Sequence, residues 1–234
     1  PLLMTSALLA ALLTGCASPA VEPLSPPAAA AIAPEATPHL HPGGAVASAH
    51  PLATAAGMRI LKAGGSAADA AVAVALVLGV VNPQSSGLGG GGFAVYRTPE
   101  GQVSSLDFRE VAPSFFDRDV YAAEGRDSAR GPWAVGVPGE AAGLAELHRR
   151  GGRLPWKDVV EPARALAAEG FAVGPDLAGA LGYARDAVLA DPGLRAVFAS
   201  GGDVAKEGDT VRRPALAHTL KYLQLHGGDG FYRG

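Results

Sequence analysis

Arg109 is the residue whose type and setting best suit it to bind a small organic anion. Its guanidinium presents a planar fork of donors that matches the two oxygens of a carboxylate. It lies between Asp107 and Glu110, downstream of a segment, 85–92, that is dense in glycine. From these residues alone, two interpretations stay open. Arg109 anchors the carboxylate of a ligand, or it forms a structural ion pair with Asp107 or Glu110.

The glycine-dense segment resembles a nucleotide-binding loop only on the surface. Five of the six residues 87–92 are glycine, and Gly87, Gly89 and Gly92 formally satisfy the pattern G-x-G-x-x-G. That pattern binds a dinucleotide when a strand precedes the glycines and a helix follows them. Here an apolar helical segment precedes them and the strand-like run 93–96 follows. We therefore expect a tight helix-to-strand connection and no nucleotide-binding loop.

The residues before and after the glycines predict two helices and a hairpin. Ser66 and Asp69 have the spacing of a capping box, although Asp replaces the usual Glu or Gln. The run 70–81 is apolar on every side, which is typical of a buried helix. The expected elements are a strand at 45–48, helices at 51–63 and 67–81, and hairpin strands at 93–96 and 103–108.

The second half of the chain predicts further helices with short connections. One helix follows the loop 136–139, and a second begins near Trp156 and stops at Gly170. The arginine pairs 149–150 and 212–213 are interpreted as solvated ends of helices. This mixture of helices and short strands predicts an α/β (α+β) fold.

Composition excludes several classes of function. The 234 residues include 19 basic and 22 acidic side chains, so the net charge of −3 gives no basis for binding nucleic acid. The single cysteine excludes an internal disulfide and a thiol-rich metal site. Common nucleophile, metalloprotease and phosphate-binding motifs are absent from the sequence. We therefore assign no catalytic residue, and we expect neither a metal nor another cofactor.

Residues 1–15 resemble a bacterial lipoprotein signal peptide. The run 2–13 is almost wholly apolar, and it is shorter than the roughly 20 residues that span a bilayer. It leads into Leu13-Thr14-Gly15-Cys16, which is similar to a lipobox and makes Cys16 the candidate for lipidation. The alternative is an ordinary signal peptide with an incidental cysteine. Since the first residue is Pro1, we expect the start of this peptide to be missing.

Residues 16–42 are rich in alanine and proline, which is typical of a semi-extended tether. Such a tether would hold a folded domain away from a membrane surface, and the lipid would make the protein extracytoplasmic and membrane-anchored. His39 and His41 have a spacing that can chelate a metal, but the sequence offers no further ligands beside them.

Residues 43–234 resemble the N-terminal part of the large subunit of γ-glutamyltranspeptidases, which are glutathione hydrolases. Several long motifs occur in the family's order, so the resemblance is more specific than any single motif would be. The matching segments are 64–73, 87–93, 107–113, 136–139, 154–156, 169–171 and 230–234.

The resemblance implies a fold and a reaction. The fold is that of the N-terminal-nucleophile hydrolases, an αββα sandwich that would be only partly present in this chain. In the family a precursor cleaves itself into a large and a small subunit. The threonine that begins the small subunit attacks a γ-glutamyl amide, with its own α-amine as the general base. The γ-glutamyl group then passes to water or to an amino acid.

The resemblance also implies a role for Arg109. The arginine of the family's D-F-R-E motif binds the α-carboxylate of γ-glutamyl compounds such as glutathione, and Arg109 matches it. The nucleophilic threonine would lie downstream of the chain, and neither Thr210 nor Thr219 has the family's Thr-His context. We therefore expect the chain to be inactive alone, as a fragment or as a truncated product.

Three alternatives remain open at this point. The protein is a precursor of a γ-glutamyltransferase; or a relative that resembles cephalosporin acylases or capsule-anchoring γ-glutamyl transferases; or a catalytically dead lipoprotein that binds a γ-glutamyl or carboxylate ligand.

Overall fold

The computed structural model describes residues 44–123, 125–129 and 131–233. The predicted signal peptide and the whole of the predicted tether, with Cys16, His39 and His41, lie outside these residues. In the described part of the chain, no helix is long and apolar enough to cross a membrane. The helices are α1 (Pro51–Lys62), α2 (Ala67–Val81), α3 (Glu140–Gly151), α4 (Trp156–Glu169), α5 (Pro175–Tyr183), α6 (Arg185–Ala190), α7 (Pro192–Phe198), α8 (Pro214–His226) and α9 (Asp229–Arg233). The strands are β1 (Phe93–Arg97), β2 (Val103–Asp107), β3 (Phe171–Ala172), β4 (Ala199–Ser200), β5 (Asp203–Val204) and β6 (Thr210–Val211).

Helix α2 is the centre of the hydrophobic core. It packs against α1, α3 and α4, and α4 in turn packs against α8. The side chains of Val72, Val77 and Val80 are completely buried. The absence of a polar face in this segment of the sequence predicted such burial, and the structure confirms it. Helix α2 thus provides a rigid support for the glycine-rich loop that follows it.

The capping box at the start of α2 is present, and it does more than cap the helix. Ser66 Oγ accepts a hydrogen bond from the backbone N–H of Asp69, and Asp69 Oδ2 accepts one from the backbone N–H of Ser66. The same carboxylate oxygen accepts the backbone N–H groups of Arg153 and Leu154, at 2.9 and 3.2 Å. The fully buried Asp69 therefore ties the start of α2 to the connection between α3 and α4.

Strands β1 and β2 form the predicted antiparallel hairpin. Phe93 pairs with Asp107 and Arg97 with Val103. Ala94 and Tyr96 pack against the core on one face, while Phe93 and Val95 are exposed on the other. Two further antiparallel pairs, β3 with β6 and β4 with β5, are each only two residues long. The hairpin thus ends where the D-F-R-E segment begins.

Residues 45–48 are not a strand, and the prediction for them is wrong. They precede α1 without regular structure and pair with none of the described strands. Val46 instead packs against the core, in close contact with Gly57 of α1. A short apolar run can meet its need for burial through side-chain packing alone, and its pattern does not distinguish this from a strand.

The prediction that both arginines of the 212–213 pair are solvated is wrong for Arg213. Its Nη1 donates hydrogen bonds to the carbonyl oxygens of Gly79 and Val80, at 2.6 and 3.1 Å. These carbonyls lie in the last turn of α2, where a cation also complements the helix dipole. Burial lowers the pKa of the Arg213 guanidinium. The corresponding prediction for Arg149 and Arg150 is confirmed, since both are exposed at the end of α3.

Candidate functional site

The glycine-rich loop, the end of β2 and the start of α3 meet at one point. The carbonyl oxygen of Gly90 accepts hydrogen bonds from the backbone N–H groups of Gly139 and Glu140, at 2.9 and 3.0 Å. The backbones of Gly92 and Phe108 exchange two hydrogen bonds that prolong the hairpin ladder by one pair. The loop therefore joins the hairpin to α3, and α2 precedes it as the sequence predicted.

Two positions in this junction require glycine because of close backbone contacts. A Cβ atom on Gly91 would collide with the carbonyl oxygen of Phe108 and would lie 2.9 Å from the Cα atom of Arg109. A Cβ atom on Gly139 would collide with the same carbonyl oxygen. The glycines thus let the backbone on either side of Arg109 lie directly against the loop. They serve backbone packing, and a helix-to-strand connection of this kind lacks the helix N-terminus on which a pyrophosphate would bind.

Arg109 lies just past β2, with a largely free guanidinium. Its side chain is 63 % exposed, and its Nε atom lies 3.6 Å from Oε2 of Glu110. An exposed ion pair at that distance is worth about 0–1 kcal/mol. Asp107 accepts the backbone N–H of Arg109 at 3.1 Å. The ion-pair interpretation therefore accounts for only a weak contact of this side chain, whose guanidinium carbon also lies 5.9 Å from the centroid of the exposed Phe93 ring.

Arg109 lines a cavity of about 280 Å³. An antiparallel bridge between Val111 and Val137 closes the loop whose residues form most of its wall. The cavity combines the weakly paired charges of Arg109 and Glu110 with two aromatic rings, so a carboxylate ligand with an aliphatic part would have to compete with Glu110 for the guanidinium. The lining residues are Arg109, Glu110, Val111, Ala112, Phe116, Tyr121, Ala134, Val135 and Gly136.

A second cavity, of about 730 Å³, lies beneath the glycine-rich loop. Apolar side chains of α2, α3 and α8 line much of it, together with Glu110, Glu140 and Arg213. Burial, and to a smaller extent the charge of Glu110, raises the pKa of Glu140. Glu140 is the first residue of α3, so its carboxylate lies at the positive end of that helix.

The end of the described chain supports the start of α3. The hydroxyl of Tyr232 in α9 donates a hydrogen bond to the carbonyl oxygen of Pro138 at 2.9 Å and accepts the backbone N–H of Ala142 at 3.3 Å. Two of the segments on which the family resemblance rests, 136–139 and 230–234, are therefore in direct contact. This contact holds the start of α3, which in turn donates hydrogen bonds to the glycine-rich loop.

Sequence reasoning missed Glu140, Arg213 and the aromatic residues near Arg109. Glu140 directly follows the loop 136–139, so its position at the first turn of a helix could have been noticed. The aromatic residues are spread over 115–133, a stretch that has no regular periodicity, and only the folded loop brings them together. Arg213 gives no local signal, because its partners precede it by more than a hundred residues.

Other candidate residues contribute nothing to this site in the structure. Among the described residues, no group of three or more His, Cys, Asp or Glu side chains could hold a metal ion. The Thr219 hydroxyl donates a hydrogen bond to the carbonyl oxygen of Ala215 within α8, a common arrangement in helices. Lipidation at Cys16 and a tether at 16–42 stay predictions, since these residues lie outside the described part of the chain.

Comparison with known proteins decides the family. The family model described as Gamma-glutamyltranspeptidase matches residues 53–234. The chain belongs to the γ-glutamyltranspeptidase family. Glutathione hydrolase 2 of Arabidopsis thaliana is 44 % identical, over 82 % of this chain and 33 % of its own length. The glutathione hydrolase proenzyme of Escherichia coli K12 is 37 % identical, over 100 % of this chain and 42 % of its own. The chain thus spans a third to two fifths of these relatives.

Solved structures of γ-glutamyltranspeptidase relatives share the fold. The Helicobacter pylori γ-glutamyltranspeptidase superposes with a TM-score of 0.78 and 35 % identity, covering 82 % of this chain and 57 % of that one. The Bacillus halodurans cephalosporin acylase gives 0.75 and 33 %, covering 87 % and 41 %. The Bacillus anthracis transpeptidase CapD gives 0.68 and 36 %, covering 81 % and 60 %. The predicted N-terminal-nucleophile hydrolase fold is therefore confirmed, as a part of the whole fold.

Proposed function

We propose that this chain is the N-terminal part of a γ-glutamyltransferase, or glutathione hydrolase, precursor. The whole protein would cleave the amide bond of γ-glutamyl compounds such as glutathione. A threonine outside this chain would attack the γ-carbonyl carbon and give up its hydroxyl proton to a base, and the amine would leave with a proton. The resulting ester would then pass the γ-glutamyl group to water or to an amino acid. A small subunit from the same precursor would supply that threonine.

The observation that carries this proposal is the setting of Arg109. The glycine-rich loop and the start of α3 fix its backbone, while its guanidinium remains exposed beside a cavity. A guanidinium in that state can bind a carboxylate through two parallel hydrogen bonds. The role proposed for Arg109 is to hold the α-carboxylate of the γ-glutamyl donor. The resemblance to relatives named glutathione hydrolases supports the choice of donor.

The test is the hydrolysis of a γ-glutamyl anilide by the full-length precursor and its Arg109→Lys variant. Lysine keeps the charge but loses the bidentate fork. We expect KM to rise about tenfold to a hundredfold, since a hydrogen bond to a charged group is worth ~1.5–3 kcal/mol. Self-cleavage into two subunits should continue, because it does not involve the donor's carboxylate.

Arg97→Lys is the matched control, because Arg97 is an exposed arginine at the end of the other strand of the same hairpin. Its KM should remain that of the unaltered enzyme. An unchanged KM in Arg109→Lys would refute the anchoring role. If the full-length protein showed no turnover and its downstream sequence lacked a Thr-His junction, a ligand-binding protein without catalysis would be the better interpretation.

The structural similarity to a cephalosporin acylase and to the transpeptidase CapD supports a second candidate function, which is the transfer or hydrolysis of the acyl groups that such relatives act on. The same assay separates the candidates when a cephalosporin with an acyl side chain and a poly-γ-glutamyl peptide are offered beside the anilide. We expect the highest kcat/KM for the small γ-glutamyl compound.

We also propose that Cys16 carries a lipid and that residues 16–42 tether the enzyme to the outer side of a membrane.

A further inference from the structure

The bridge between Val111 and Val137 joins the two ends of the segment 112–136, and we name the described residues of that segment (112–123, 125–129 and 131–136) the aromatic lobe. Val111 and Val137 exchange both backbone hydrogen bonds, at 3.2 and 2.8 Å, so the two ends of the lobe are held together. A loop of this length that is closed at its neck and packed on its own side chains is commonly functional.

The aromatic lobe has a small core of its own. The ring of Phe116 packs edge-to-face on Tyr121, with centroids 6.0 Å apart, and lies 5.7 Å from the ring of Trp133. The guanidinium of Arg126 lies 4.3 Å from the centroid of the Trp133 ring and donates a hydrogen bond to the carbonyl oxygen of Val120. Aromatic and cation–π contacts of this kind stabilise the arrangement of the rings, none of which belongs to the main hydrophobic core of the described residues.

Tyr121 connects this small core to the cavity that holds Arg109. Its hydroxyl donates a hydrogen bond to the carbonyl oxygen of Trp133 at 2.9 Å, so the ring is held at both its edge and its polar end. The side chain is nevertheless 42 % exposed. Tyr121 lines the 280 Å³ cavity together with Arg109 and Phe116.

We propose that Tyr121 is a specificity-determining residue for the γ-glutamyl donor. A donor whose α-carboxylate is held by Arg109 would place its two methylene groups in the same cavity, where the rings of Tyr121 and Phe116 provide an apolar wall. The inference rests on the proposed function. It adds a second contact to the ion pair with Arg109, and this contact would favour a ligand with an aliphatic chain over a bare carboxylate. The hydroxyl bond to Trp133 keeps the wall in place.

The test compares Tyr121→Ala, Tyr121→Phe and a control in the full-length enzyme with a γ-glutamyl anilide. Tyr121→Ala should raise KM about tenfold, the order expected when two methylene groups lose their apolar contact. Its kcat should change less than twofold, because the residue has no part in the chemical step. Tyr121→Phe retains the ring and should restore most of the lost affinity. Tyr183→Ala is the control, since Tyr183 is a 96 % exposed tyrosine on α5 that lines neither cavity.

The outcomes separate this inference from the proposed function. If Arg109→Lys raises KM but Tyr121→Ala does not, the role of Tyr121 is refuted and the role of Arg109 in binding the carboxylate is retained. If the full-length enzyme does not cleave the anilide, both proposed roles are refuted. Should Tyr121→Ala fail to accumulate as folded protein, Phe116→Leu decides, because it removes the second ring of the wall and keeps an apolar side chain. An unchanged KM in Phe116→Leu would then overturn the inference.

Discussion

Two charged residues near the start of the fold illustrate how burial separates a structural role from a binding role. Asp69 is completely buried, and its Oδ2 atom accepts hydrogen bonds from Ser66, Arg153 and Leu154. Arg109 is mostly exposed, and its nearest carboxylate is 3.6 Å away. A buried carboxylate that accepts several backbone hydrogen bonds contributes to stability, whereas an exposed and weakly paired arginine can bind a ligand.

At the residue scale, we predict that Asp69→Asn destabilises the protein. Asp69 Oδ2 accepts hydrogen bonds from the backbone N–H groups of Ser66, Arg153 and Leu154 and from the Ser66 hydroxyl, and a neutral amide would weaken these four bonds. The Oδ1 atom, which has no hydrogen-bond partner among the described groups and lies 3.5 Å from His148 Nε2, would be replaced by an NH₂ group that can only donate. The free energy of unfolding should fall by about 2–4 kcal/mol, as measured by urea denaturation. Asp158→Asn is the control, because Asp158 is an exposed acid in the first turn of α4. Equal losses in the two variants would contradict the role given to Asp69.

At the scale of elements, the glycine-rich loop is a junction between three of them. It follows α2 and leads into β1, and the carbonyl oxygen of Gly90 accepts hydrogen bonds from the backbone at the start of α3. Its glycines remove the Cβ atoms that would hold the D-F-R-E segment away. The backbone of Arg109 can therefore lie where it does because Gly91 and Gly139, which pack against it, have no side chains.

We predict that Gly91→Ala and Gly89→Ala differ sharply. The Cβ atom in Gly91→Ala would collide with the backbone of Phe108, whereas nothing lies within 4 Å of the corresponding atom on Gly89. Gly91→Ala should lower the free energy of unfolding by about 1–3 kcal/mol and raise KM for the donor by displacing Arg109. Gly89→Ala should remain within about 0.5 kcal/mol. Thermal denaturation and anilide kinetics measure both effects. Similar behaviour of the two variants would show that close packing is not what selects these glycines.

At the scale of the whole molecule, the chain presents a partial sandwich. Its hairpin covers the core with one face and exposes Phe93, Val95 and Val103 on the other. A two-stranded sheet is marginally stable on its own, so the packing of its inner face on the helices holds it in place. The solved relatives are longer than this chain, which covers 57 % of the Helicobacter pylori structure.

The proposed tether predicts where the whole molecule is found in a cell. Cys16→Ser removes the only thiol in the sequence. If Cys16 carries the lipid, this variant should leave the membrane fraction and appear in the soluble extracytoplasmic fraction, as detected by fractionation and immunoblotting. Ser18→Ala, two residues further on, is the control and should remain with the membrane. Retention of Cys16→Ser in the membrane fraction would refute lipidation as the anchor.

The sequence by itself determined the local features of this protein. The capping box, the all-apolar helix α2 and the hairpin after the glycines each depend on residues that are close in the chain. The neighbours of Arg109 left a ligand anchor and an ion pair both open, and the family resemblance led to the anchoring role that we propose. The family resemblance, which rests on the order of several such segments, extended the prediction to the fold. The error at 45–48 arose because a short apolar run can be buried with or without a strand partner.

Only the tertiary structure decided which distant groups meet. Arg213 contacts the last turn of α2, Tyr232 supports the start of α3, and Asp69 holds the connection before α4. Tyr121 and Phe116 join Arg109 in one cavity because the Val111–Val137 bridge closes the aromatic lobe. Spacing along the chain records helix and strand periodicity, whereas these contacts follow from how whole elements pack, and packing leaves no periodic signal in the sequence.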